Sequence, residues 1–126
     1  PEAEIWRNIV NYETIYQVSN LGRIKSLARN VKGKGNSIIL IQELILLPFL
    51  CPQRGSRVVL QNSIQNKKAK TCMIHHLVAD AFISNPLKMS YIVHKDGNIY
   101  NNCLSNLIRT YSKNPKRHCA DVFLQI

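Results

Sequence analysis

His94 opens the densest run of chemistry-bearing side chains in the sequence, His94-Lys-Asp96-Gly97-Asn98-Ile-Tyr-Asn101-Asn102-Cys-Leu-Ser-Asn106. A histidine titrates near neutral pH, so it can accept a proton where few other side chains can. Asp96 carries the carboxylate oxygens that hard divalent cations prefer. The loop residues around it have a second use. Asx side chains satisfy loop backbone groups and Gly97 permits a tight turn, so scaffolding is the main role expected for Asp96, Asn98, Asn101 and Asn102. A second histidine pair, His75-His76, reads differently. Neighbouring helical positions point about 100° apart and do not converge on one ion, so one packed and one exposed ring is expected.

Lys and Arg number 17 against 7 acids, a formal net charge of +10 and a pI of about 9.8. An excess of that size calls for a polyanionic partner, either nucleic acid or an anionic membrane surface. No apolar run reaches the roughly 18 residues of a spanning helix. The longest, Ser37 to Leu50, is broken by Gln42, Glu43 and Pro48 and is expected to be a buried strand pair or core helix. Pro1 to Tyr12 contains Glu2, Glu4, Trp6 and Arg7 and shows no apolar core of a secretory signal. Cys51, Cys72, Cys103 and Cys119 form no C-x-x-C pair, so neither a structural zinc nor a redox dithiol is expected. Reduced cysteines imply a cytoplasmic setting.

The 126 residues suffice for one domain, or one domain with a small appended module. Tyr16-Gln-Val18-Ser19 and Arg23-Ile24-Lys25-Ser26-Leu27 alternate on either side of Asn20-Leu21-Gly22, which predicts a β-hairpin. Arg29 to Asn36 is expected to be a flexible basic loop. Arg57 to Gln61 and Lys70 to Ile74 read as strands of a meander around a polar basic turn. Leu77, Val78, Ala81 and Phe82 fall at helical spacing, and Asn85-Pro86 ends that helix. A short strand is expected at Tyr91 to Lys95, then the loop from Asp96 to Ser105, a strand around Leu107 to Arg109, and a helix capped by Thr110.

The pattern H-x-D-G-N-x-x-x-N-x-x-x-N-L from His94 to Leu107 resembles the core of HNH nucleases, specifically the phage and intron-encoded group. Trp6-Arg-Asn-Ile9 and Tyr16-Gln-Val-Ser-Asn-Leu-Gly-Arg-Ile-Lys-Ser-Leu27 resemble the modular DNA-binding motif that often precedes such cores. Ile74 to Phe82 is similar to that family's V-H-R-L-V-A-x-A-F segment. The resemblance covers about Glu4 to Leu27 and Ile74 to Asn114. It implies an α+β fold with a ββα-metal core preceded by a small antiparallel β meander or hairpin. The divisions expected are 1–30 for the hairpin motif, 31–73 for a linking β segment, 74–120 for the HNH domain and 121–126 for a tail.

The same resemblance implies a DNA endonuclease that nicks double-stranded DNA with one divalent ion, Mg²⁺ or Mn²⁺. His94 takes the place of the general base and Asn106 that of the asparagine orienting it. Asn114, four positions after Thr110 and just before Pro115, takes the place of a metal ligand, with Asp96 as a further candidate. The residue before the histidine is usually a metal ligand in the family, and Val93 stands there, so impaired catalysis is expected. Phosphate contacts are expected from Arg23, Lys25, Lys67, Lys68, Lys70, Arg109, Lys113, Lys116 and Arg117. An inactive nucleic-acid-binding descendant and a structural subunit of a nucleoprotein assembly are the alternatives. An infected or bacterial cell, or an organelle matrix, is the setting the resemblance implies.

Overall fold

In the computed structural model, residues 3–62, 68–85 and 87–111 are described. Antiparallel strands in small sheets dominate, with one α-helix among the described residues, an α+β arrangement. The first sheet has the order β1-β2-β3-β6, built from β1 (Trp6–Asn8), β2 (Tyr16–Ser19), β3 (Ile24–Ser26) and β6 (Leu44–Leu46). The expected hairpin is β2–β3, in the register Val18↔Ile24. Its turn closes by Gly22 N–H donating to the Ser19 carbonyl at 3.0 Å. Gly22 has φ +85°, a conformation that favours glycine. β6 comes from the middle of the chain and pairs with β3, so the linking segment and the hairpin motif share a sheet.

The basic stretch expected to be a flexible loop forms β4 (Arg29–Lys32), paired with β5 (Ile38–Ile41), and only its glycine-bearing end is a turn. Alternation of Arg29, Asn30, Val31 and Lys32 allows a strand despite the charge. The burial expected for Ser37 to Leu50 is corrected. The stretch is mostly strand, but Ile38, Leu40, Leu44, Leu47, Phe49 and Leu50 are exposed, Leu47 at 88%. The core is filled without them. Two-stranded β4–β5 and the end strands offer few neighbours to bury an apolar side chain.

The meander is observed as β7 (Phe49–Cys51), β8 (Gly55–Leu60) and β9 (Lys70–Met73). β9 runs directly into α1 (Ile74–Phe82), whose backbone closes with Ile83 N–H donating to the Ala79 carbonyl at 2.8 Å. Val78 on α1 packs into one cluster with Ile15, Val18, Ile24, Val58, Leu60 and Leu107. Burying a valine of this kind contributes about 1.5–3 kcal/mol. Arg7 fastens the first sheet to the end of the helix: its Nη1 donates to the Ala81 carbonyl at 2.9 Å and its guanidinium lies 4.6 Å from the Phe82 ring centre. The last strands, β10 (Tyr91–His94) and β11 (Leu107–Thr110), pair in the register His94↔Leu107 and lie against α1. Thr110 therefore ends a strand, and the helix expected to follow it lies outside the described residues, as do Pro86 and the tail. No described helix is long and apolar enough to cross a membrane.

Candidate active site

The site is built at the loop end of the β10–β11 hairpin, where residues 95–106 leave and re-enter the ladder. Gly97, at φ +77°, lets the chain reverse immediately after the strand, its N–H donating to the His94 carbonyl at 3.0 Å. Lys95 N–H donates to the Asn106 carbonyl at 2.8 Å and closes the loop at its base. Two side chains then clasp the interior. Asn106 Oδ1 accepts from Asp96 N–H at 3.0 Å, while its Nδ2 donates to Asp96 Oδ1 at 2.9 Å and to the Asn101 carbonyl at 2.8 Å. Asp96 also accepts from Asn98 N–H at 2.8 Å and Asn101 Nδ2 at 2.9 Å. The Asn101 contact, then those from Asn98 and Asn106, hold the Asp96 carboxyl below its ordinary range.

These bonds correct one expectation. Asn106 is buried and orients the loop backbone and Asp96, not the His94 ring. Asp96 accepts from the loop's own donors through both oxygens, which occupies three of about four lone-pair directions. Scaffolding, the role expected for most of the Asx residues, accounts for it.

The ring of His94 is held by Asn102. His94 Nε2 lies 2.8 Å from Asn102 Oδ1, and Asn102 is 5% exposed. An amide oxygen only accepts, so in this arrangement the Nε2 proton donates and the lone pair of the neutral ring sits on Nδ1. His75, at the start of α1, meets His94 edge to face with ring centres 5.3 Å apart. Burial, then the neighbouring His76 and His94, lower the His75 pKa to about 4, so this ring is neutral near pH 7. Its Nδ1 is buried with no hydrogen-bond partner among the described residues. His76 is exposed, as expected for the pair. Sequence reasoning placed Asn102 among the loop scaffold and missed its contact with His94, because several asparagines lie within reach and spacing does not rank them.

The basic residues separate by what they touch. Lys68 and Lys70 are exposed beside the meander. Lys25 Nζ sits 4.1 Å from the Trp6 ring centre, and Arg23 is paired with Glu4, its Nε donating to Glu4 Oε2 at 2.8 Å. That bond is the main reason the Glu4 carboxyl is lowered to about 2. Arg23 is thus committed within the motif, although its side chain stays half exposed. Arg109 is corrected outright. It is buried, paired with Ile92 on the ladder, and its Nη2 donates to Asp80 Oδ1 at 3.2 Å and to the Ile83 carbonyl at 3.1 Å. It ties β11 to α1 and has no surface to give a phosphate. Lys67, Lys113, Asn114, Lys116 and Arg117 lie outside the described residues.

Val93, half buried in β10, has no lone pair, and among the described residues no group of three or more His, Cys, Asp or Glu is placed to hold a metal.

A β-hairpin ending in a histidine, an Asx-clasped loop and the preceding hairpin motif together define a class. Residues 4–59 match the NUMOD4 motif. The chain is thus similar to HNH homing-type endonucleases and carries the NUMOD4 motif. It is 32% identical over 113 residues to an uncharacterized HNH endonuclease of Acanthamoeba polyphaga mimivirus, covering 90% of this chain and 29% of that protein. It is also 32% identical over 102 residues to the DNA endonuclease I-HmuI of Bacillus phage SP01, covering 81% of this chain and 49% of the phage protein. A solved structure described as DNA binding and cleavage by the HNH homing endonuclease I-HmuI superposes with a TM-score of 0.68 at 28% identity, over 97% of this chain and 62% of the other. The chain spans about half or less of the length of these two curated relatives.

Proposed function

We propose that the chain is a weak DNA endonuclease of the HNH type that nicks one strand of double-stranded DNA in the cytoplasm. The observation that carries this reading is the His94 ring, pinned at Nε2 by Asn102 with its lone pair on Nδ1. In the proposed step Nδ1 takes a proton from water, the water oxygen bonds to phosphorus, and the phosphorus bond to the leaving oxygen breaks. The leaving oxygen recovers a proton from solvent. A divalent cation such as Mg²⁺ or Mn²⁺, which the family resemblance implies, supplies positive charge to the phosphate when bound. The candidates to hold it are Asn114 and Asp96, and Val93, at the family's ligand position, brings no lone pair. Phosphates along the duplex would be met by Lys68 and Lys70.

A second reading, a DNA-binding protein that has lost catalysis, is favoured by Val93 and by the engagement of both Asp96 oxygens. Purified protein with supercoiled plasmid and Mg²⁺ or Mn²⁺ separates the two. Nicking that falls by about two to four orders of magnitude in His94→Ala, with DNA affinity intact, supports the enzyme. Retardation without nicking selects the binder. Undiminished nicking by His94→Ala would remove the histidine from the reaction.

A further inference from the structure

The turn of the β2–β3 hairpin and the loop that holds His94 lie against each other residue for residue. Asn20 accepts from Leu104 N–H through its carbonyl at 2.7 Å. The Leu21 carbonyl lies 3.7 Å from Cys103 Sγ. Gly22 meets Asn102: a Cβ at position 22 would come within 2.9 Å of the Asn102 carbonyl oxygen and 3.0 Å of its Cβ. These are backbone and near-backbone atoms, so a side chain at Gly22 cannot be accommodated by a rotamer change. Three consecutive residues of the hairpin turn therefore brace three consecutive residues of the loop. The middle meander supports it from another direction, where Tyr100 Oη donates to the Cys51 carbonyl at 2.9 Å and a Cβ at Gly55 would come within 3.1 Å of the Ile99 carbonyl oxygen. Both braces come from the segment that matches the NUMOD4 motif.

We propose that Gly22 and Asn102 are positioning residues for His94, so that the NUMOD4 hairpin is a structural part of the HNH site as well as a motif placed before it. The path is short. Gly22 fixes the backbone of Asn102, Asn102 is buried and aims Oδ1 at His94 Nε2, and that bond sets the plane and tautomer of the ring. The consequence for catalysis rests on the proposed reading of His94, but the positioning itself does not.

The test uses the ¹⁵N-labelled metal-free full chain and reads the imidazole N–H signal of His94, which is seen when a hydrogen bond slows its exchange with water. The expected result is a signal in the parent chain and in Gly35→Ala, and its loss in Gly22→Ala and Asn102→Leu. Gly35→Ala is the control for backbone strain: Gly35 also has a positive φ, of +63°, but a Cβ there meets nothing within 4 Å. Gly22→Asn serves beside Gly22→Ala, since asparagine tolerates a positive φ yet still carries the Cβ. Retention of the signal in a folded Gly22 variant, or in Asn102→Leu, overturns the proposal, as does its loss in Gly35→Ala. Plasmid nicking is measured separately. A chain that never nicks but shows this pattern sinks the enzymatic reading and leaves the positioning intact.

Discussion

At the scale of single residues, the proposed function turns on Val93. In that reading, an apolar side chain at the position where the resemblance expects a ligand deprives a divalent ion of one protein oxygen, and a weakly chelated Mg²⁺ is poorly held. Val93→Asp is expected to raise metal affinity and plasmid nicking together, and the gain should disappear when His94→Ala is added. If Val93→Asp changes neither while the parent chain nicks well, the ion is held elsewhere. The place of His94, at the end of a short strand and the start of an Asx-clasped loop, was legible in the sequence, because Asp96, Gly97 and the spaced asparagines favour a turn. The division of labour among those asparagines was not legible. Asn106 and Asn102 are both buried Asx residues of one loop, and only the fold shows that the first holds Asp96 and the second the histidine.

At the scale of elements, α1 carries a burden of its own. It begins with His75 packed against His94, and burial lowers the His75 pKa from 6.5 to about 4. Between those values the unfolded chain binds a proton that the folded chain does not. The stability this group contributes is therefore full above about pH 6.5 and falls as pH drops toward 4. The melting temperature should decline between about pH 7 and about pH 5, and less steeply in His75→Phe, which keeps a ring that does not titrate. An unchanged slope in that variant would assign the decline to other groups. Glu4, lowered from 4.5 to about 2 chiefly by Arg23, loses its contribution in a lower window, as pH falls through those values.

The helix and the β2–β3 hairpin were legible because apolar spacing and a glycine turn act locally. The position of Ser37 to Leu50 was not, since hydrophobic content sets a preference for burial and the topology decides whether neighbours are available. Among the described residues β5 pairs with β4 alone, and Ile38 and Leu40 are exposed. Arg109 is the opposite case, a cation expected at the surface and drawn inside by Asp80 and the Ile83 carbonyl.

For the whole molecule, the net charge of +10 leaves a large basic excess after the two ion pairs seen among the described residues, Arg23–Glu4 and Arg109–Asp80. Contact with about five phosphates gives a slope of about −4 to −5 for log K against log salt concentration. Charge reversal at Lys68 and Lys70 should weaken binding alike for all duplex sequences, because phosphates carry no base information. A slope near zero, or a loss confined to one sequence, would contradict electrostatic binding.

The contact between the hairpin turn and the histidine loop has a further consequence, in time. Cys103 and Leu21 are 82 residues apart in sequence, and a contact that distant can form only after a long stretch of chain has been synthesised and has closed on itself. The entropy of that closure has to be met before the contact rewards it, which places such pairings late in folding. During translation the hairpin emerges before the loop that braces against it and waits 82 residues for that contact. In the proposed reading, a still-growing chain bears DNA-attracting charge before its histidine is aligned, and the reactive geometry is set only once this contact has closed.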